Sequence, residues 1–242
     1  MQLVAFGDSF IFGSDLKDCN LQIHEHSGSA STWPRLLAKK LDTTSMVFAQ
    51  PGAGNQAIAD DVLRVIANFG NTVLYSIHWT WIDRFDYVHD KQYYNKANGL
   101  LKADIWSSIT PGSNLQTSAW YYKNIHHEYV DKIRNLGLIY QTIQMLECHD
   151  CVFHMTYMDN LLLDTKYYNS DSVTILQQHV KHHLQNYNGV NFLDWAKQQK
   201  YAISAGWHPL EQAHQAACDY WLPTYAHMLN TGAKEEQTHA FK

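Results

Sequence analysis

Short apolar runs rich in β-branched and aromatic residues recur along the chain, separated by longer stretches whose apolar positions return every three or four residues. "QLVAF" (2–6), "MVFAQ" (46–50), "TVLYSIH" (72–78), "CVFHMTY" (151–157) and "VNFL" (190–193) read as strands. Between them, "STWPRLLAKKLD" begins with Ser/Thr capping chemistry and an early proline, both suited to a helix start. "NQAIADDVLRVIANFG" sets Ile58, Val62, Ile66 and Phe69 on one stripe and stops at Gly70. "IRNLGLIYQTIQML" repeats Leu136, Tyr140 and Ile143, and "DSVTILQQHVKHHL" repeats Leu176, Val180 and Leu184, at helical spacing. A last helix is expected from Pro209 towards Pro223.

Strands alternating with helices predict an α/β fold: a three-layer α/β/α sandwich around a mostly parallel five-stranded sheet, flavodoxin-like in architecture. No linker, repeat or low-complexity stretch divides residues 1–242, so one domain is expected. The segment at about 83–125 breaks the pattern, being polar, turn-rich and loaded with Tyr and Trp. Two readings fit it: an elaborated loop with a small core of its own, or an aromatic platform for a sugar ring or an acyl chain.

With 242 residues, 45% of them hydrophobic, the chain can bury a large core. A formal net charge of -5 offers no basic surface for nucleic acid or an anionic membrane. There is neither a run long enough to span a bilayer nor a signal-peptide pattern, which points to a cytoplasmic or virus-associated protein. Four scattered cysteines make no disulfide framework. "CHDC" (148–151) has no second CxxC and reads as a turn entering a strand. Among the 15 histidines, "HEH" (24–26), His126-His127 and His182-His183 lack HExxH spacing, so no metal site and no cofactor is expected.

The first apolar run ends on Gly7-Asp8-Ser9. That is either a plain strand-to-helix turn or a nucleophile presented at the carboxyl edge of a sheet, where functional groups of such folds gather. Serine needs a base within hydrogen-bond reach. The strongest candidate is His208 in "AGWHPLEQAHQ", on a loop just before a helix whose first turn would hold Pro209.

These stretches together resemble the SGNH (GDSL-like) hydrolase family. "VAFGDSFIFGSDL" is similar to its first block, with Phe10 where leucine is commonest. "TWPRLLAKKL" and "VFAQPGAGNQAIADDV" resemble the Trp-Pro helix and the glycine-bearing second block, "LYSIHWTWIDRFD" the third, and "WHPLEQAH" the last. The likeness covers about 2–88 and 200–228, and its compact style is also similar to bacteriophage-encoded members. It implies Ser9 as nucleophile, His208 as base, and the N–H groups of Ser9 and of Gly52 (or Gly54) as oxyanion donors. It places Trp79 and Trp81 as a substrate wall, and implies Asn55 as a helix cap and Asp8 as a turn-stabilising residue.

Two departures bear on chemistry. The family's third-block asparagine, an oxyanion donor, is absent, and Thr80 is the best positional substitute, with His78 nearby. The aspartate expected three residues before the histidine is Ala205. A backbone carbonyl, Asp159 or Asp194 could take its place. The leading expectation is a serine esterase acting on a small-molecule or carbohydrate O-acyl ester, with O-acetyl carbohydrate as a candidate. The alternative is a catalytically weakened protein of this fold used for glycan binding or as a structural, virion component. Flavin or nucleotide binding on the same architecture fares worse, since neither GxGxxG nor GxxxxGK[ST] follows the first strand.

Overall fold

Alternation along the first and third strands sorts their side chains onto two faces. In β1 (Gln2–Gly7), Leu3 and Ala5 face one way and Val4 and Phe6 the other. In β3 (Val73–Trp79), Val73, Tyr75, Ile77 and Trp79 join Val4 and Phe6, while Leu74 joins Leu3. Both strands are buried along nearly their whole length, as strands covered on two sides must be. The computed structural model describes residues 1–19, 28–88, 94–95, 100–101, 106–113 and 115–239, with side chains at 94–95, 100–101 and 232–239 left undescribed. The histidine-rich stretch 24–26 therefore lies outside the described residues.

The main sheet has the order β2-β1-β3-β8-β9, with β2 at Ser45–Ala49, β8 at Val152–Tyr157 and β9 at Leu184–Gln185. Every pairing in it is parallel. On the face of Val4 and Phe6 pack α3 (Asn55–Phe69), α5 (Glu128–Cys148) and α6 (Asp171–Val180). On the opposite face lie α1 (Ser9–Phe12), α2 (Trp33–Lys40), α7 (Phe192–Gln198) and α8 (Glu211–His239). This is the expected three-layer α/β/α sandwich. Because β2 and β3 flank β1 on opposite sides, the loops after β1 and β3 diverge and open a crevice at their carboxyl ends.

Three expectations about elements are corrected. "VNFL" is not the fifth strand: Asn191 caps α7, its side chain accepting from Asp194 N, and Phe192 is already helical. The fifth strand is β9, which begins at Leu184, the last residue of the stretch read as a helix; α6 ends at Val180 and buries Val173, Gln177 and Val180, with Leu176 only partly buried. Gln177 is tolerated there because its Nε2 donates to the carbonyls of Leu162 and Asp164 (both 2.9 Å). Pro209 precedes α8, bridged to Ile203, and α8 runs on through Pro223. Cys148 closes α5 and Asp150 turns the chain (φ 52) into β8, so "CHDC" is a turn entering a strand.

Within 83–125, β4 (Phe85–Val88) pairs antiparallel with β7 (Trp106–Ile109), and α4 covers Gln116–Asn124. Backbone alone is described for a short pair, β5 (Tyr94–Asn95) with β6 (Leu100–Leu101). A carboxylate ties the β4–β7 ribbon to the start of α3. Asp86 accepts from the N–H groups of Gly54 (2.9 Å) and Ala57 (3.0 Å) and from the Ser108 hydroxyl, so a residue of the ribbon satisfies donors at the start of α3. Burial pushes the Asp86 carboxyl up, and those donors oppose the shift.

Candidate active site

Ser9 begins α1 directly after β1. Asp8 caps that short helix, its Oδ1 accepting from Phe10 N at 3.0 Å, and Gly13 ends it in the left-handed region (φ 84). As the first helical residue, Ser9 has an N–H with no carbonyl to bond inside α1.

His208 comes from the far end of the chain, on a tight antiparallel turn. Ser204 N donates to His208 O (2.9 Å) and Leu210 N to Ala202 O (3.0 Å), which holds the imidazole at the rim just before α8. Its Nε2 lies 2.9 Å from Ser9 Oγ. The ring packs edge-on against Phe10, centroids 5.2 Å apart, so the aromatic residue after the serine braces the histidine.

On the other side of the ring, His208 Nδ1 meets Asp15 Oδ2 at 2.8 Å. Asp15 lies six residues past Ser9, on the turn that follows α1, with a left-handed backbone (φ 68). Ser204 Oγ donates to the same oxygen at 2.6 Å and also accepts from the N–H groups of Gly206 and His208 (both 3.1 Å). The Ser204 hydrogen bond, followed by that of His208, holds the Asp15 carboxyl below its ordinary value. An ionised carboxylate therefore faces Nδ1, fixing the tautomer whose Nε2 accepts from Ser9.

Neither replacement acid expected from sequence reaches the imidazole. Asp159 accepts from Ile82 N (3.1 Å) and Leu161 N (2.9 Å), and Asp194 from Asn191 Nδ2 (2.8 Å). Ala205 is exposed, so a carboxylate three residues before the histidine would start from a solvent-facing position.

The third-block substitutes are otherwise engaged. Thr80 is buried and its hydroxyl donates to Asp8 Oδ2 at 2.7 Å, which removes it as an oxyanion donor in this arrangement. His78 lies in a buried chain: its Nδ1 meets Thr156 Oγ1, its Nε2 meets Ser76 Oγ at 3.1 Å, and Ser76 continues to Tyr225 and so to His154 Nδ1. Burial drives the His78 imidazole well below its ordinary pKa and His154 to about 4. Trp79 is no substrate wall: it is fully buried, its indole N–H directed at Met155 Sδ (3.4 Å). Strand alternation carried that signal, since Trp79 continues the series Val73, Tyr75, Ile77. Trp81 is near the site, 5.5 Å from the Phe10 ring.

Asn55 is not a cap. Gly54 holds the cap position of α3, and Asn55 bridges to the loop after β3: its Oδ1 accepts from Thr80 N (2.7 Å), while Nδ2 donates to Thr80 O and Asn135 Oδ1. Between the two glycines, Gly54 N–H is committed to Asp86 and Ser108. Gly52 has φ +82, and a Cβ there would meet nothing within 4 Å, so the backbone conformation and not crowding requires glycine.

One residue missed in the sequence links the loops. Arg84 Nη1 donates to Asp8 Oδ2 (3.0 Å) and to Ala53 O (2.6 Å), and its guanidinium lies over Trp81. It thereby joins the serine turn to the glycine loop after β2. An arginine just beyond a strand carries no such message in sequence, because both of its partners come from other loops.

No protein-family model and no curated protein matches the chain. Solved structures with a similar fold include a lipolytic protein of the G-D-S-L family from Veillonella parvula, 12% identical, TM-score 0.46, covering 92% of this chain and 97% of that one. Another is the acetyl xylan esterase Est2A from the rumen bacterium Butyrivibrio proteoclasticus, 11% identical, TM-score 0.49, covering 95% and 64%. A third is the esterase EstA from Pseudoalteromonas sp., 10% identical, TM-score 0.44, covering 98% of each chain.

Proposed function

We propose that this chain is a serine ester hydrolase, with Ser9 as nucleophile, His208 as general base and acid, and Asp15 orienting the imidazole. The observation that carries the reading is the continuous line Ser9 Oγ, His208 Nε2, His208 Nδ1, Asp15 Oδ2, with contacts of 2.9 and 2.8 Å. His208 Nε2 takes the hydroxyl proton as Ser9 Oγ bonds to the ester carbonyl carbon. The developing oxyanion is met by the N–H groups of Ser9 and Gly52. Such donors contribute about 3 kcal/mol each to transition-state stabilisation. Collapse breaks the bond to the alcohol oxygen, which receives the proton from Nε2. Water then repeats the sequence on the acyl-enzyme, releasing the acid and restoring Ser9.

The competing expectation of a weakened, binding-only protein began from the missing aspartate and the missing third-block asparagine, with the aromatic segment as a binding surface. The contact of Asp15 with His208 speaks against the first of these, while Thr80, bonded to Asp8, leaves the second in place. The test is hydrolysis of p-nitrophenyl acetate together with labelling by a fluorophosphonate. The wild type is expected to react with both, and Ser9→Ala and His208→Ala each to lose at least about 10³-fold in kcat. Equal turnover by wild type and Ser9→Ala overturns the proposal.

A further inference from the structure

Asp15 is a demanding place from which to orient an imidazole. Its side chain is 42% exposed and its backbone is left-handed (φ 68), so water competes with the ring for the carboxylate. What opposes that competition is a second group on the histidine's own turn. The Ser204 hydroxyl donates to Asp15 Oδ2 at 2.6 Å, the same oxygen that meets His208 Nδ1 at 2.8 Å. One carboxylate oxygen is thus gripped by two groups of one turn. That turn is closed by its own backbone, Ser204 N donating to His208 O (2.9 Å) and Trp207 N to Ser204 O (3.1 Å). Ser204 also precedes Ala205, where the resemblance led one to expect the acid. The histidine's turn carries a hydroxyl there and takes its carboxylate from the turn after α1.

Hydrogen-bond counting fixes the direction of the grip. A serine hydroxyl has one proton and two lone pairs. The N–H groups of Gly206 and His208, both at 3.1 Å, take the lone pairs of Ser204 Oγ, which leaves its proton for Asp15 Oδ2. Held below its ordinary value first by this bond, the Asp15 carboxyl has no proton to offer the ring. His208 Nδ1 must therefore be the donor across the 2.8 Å contact, and Nε2 is left to accept from Ser9 Oγ at 2.9 Å. The polarity of the whole line, from Ser204 to Ser9, follows from where one hydroxyl proton can go.

We infer that Ser204 is a positioning residue of this site: it holds Asp15 against His208 and so sets which imidazole nitrogen is free to act as the base, making the line four groups long. Its effect on rate rests on the ester-hydrolase reading, whereas its effect on the ring does not, and the test reads both. The tautomer is read by NMR of the protein labelled with 15N-histidine at pH 8, the His208 signals being those lost in His208→Ala. The rate is read with p-nitrophenyl acetate. The wild type is expected to carry its proton on Nδ1. Ser204→Ala should populate the Nε2–H form, the one a free imidazole side chain favours, and lower kcat about tenfold with KM within about twofold. Ser204→Thr keeps the hydroxyl and should keep the wild-type tautomer, with kcat within about threefold. In an Asp15→Asn background, Ser204→Ala should change kcat by less than about twofold, because its effect passes through the carboxylate. Three results overturn the role of Ser204: an unshifted tautomer in Ser204→Ala, Ser204→Thr as slow as Ser204→Ala, or an undiminished loss in the Asp15→Asn background. A fourth is Ser9-dependent turnover that Ser204→Ala leaves within about threefold of wild type. Equal turnover by wild type and Ser9→Ala, with the tautomer still following the group at 204, overturns the hydrolase reading and leaves the positioning of the ring standing.

Discussion

Asp15 Oδ2 sits 2.8 Å from His208 Nδ1 although 193 residues separate the two. Replacing Asp15 by Asn keeps the volume but lets an amide N–H face Nδ1, which favours the wrong tautomer. The expected loss in kcat on p-nitrophenyl acetate is between about 10² and 10⁴, the upper figure belonging to a fully buried acid. Asp15 has a side chain 42% exposed, so water can partly replace it. A loss under threefold would deny it the orienting role.

Gly206 guards that contact. A Cβ at this position would come within 2.6 Å of Asp15 Oδ2 and 3.2 Å of His208 Nδ1. Gly206→Ala should therefore displace the carboxylate and reduce kcat at least tenfold. The position is exposed, so Tm should move by no more than about 2 °C. Thermal melts and steady-state rates on the same preparation check both halves.

Arg84 and Asp8 form a buried pair, their side chains 12% and 3% exposed. Arg84→Met strands the Asp8 carboxylate, leaving, among the described residues, Phe10 N and Thr80 Oγ1 to donate to it. The expected destabilisation is about 3 kcal/mol, measured by urea unfolding. Because Arg84 also holds the Ala53 carbonyl, kcat should fall more than KM rises. Arg84→Lys keeps the charge and should recover part of the stability.

Three buried histidines set an acid-side dependence of stability. Burial lowers His154 to about 4 and His214 to about 3, and pushes His78 well down. His214 Nδ1 accepts from Trp33 N at 3.2 Å, a bond available only to the neutral ring. In the unfolded chain these groups take up protons near 6.5. Below that pH the unfolded state binds more protons than the folded state, so stability falls as pH drops towards 4. The slope reaches about 1.4 kcal/mol per pH unit for each histidine. Urea midpoints measured from pH 7.5 to 5 should decline, and a flat profile would contradict the buried neutral assignment.

Periodicity was enough for the layers. Four of five strands and the helices at α2, α3 and α5 follow from local alternation or 3.6-residue spacing, because burial on a sheet or helix face is written in neighbouring residues. The serine at the end of β1 and the histidine before the last helix were legible for the same reason: each lies at the boundary of an element with a clear pattern. The fifth strand was not, since β9 is only Leu184–Gln185 and Leu184 also fits the period of the preceding helix.

Partnership across the sheet edge left no such trace. That Asp15 and not Asp159 or Asp194 meets His208, that Thr80 serves Asp8, and that Arg84 joins two loops depend on where turns with left-handed residues at Gly13 and Asp15 carry the chain. The sequence determined which groups stand at the carboxyl edge. Only tertiary structure decided which of them touch, because hydrogen bonds act over about 3 Å in space and are indifferent to separation along the chain.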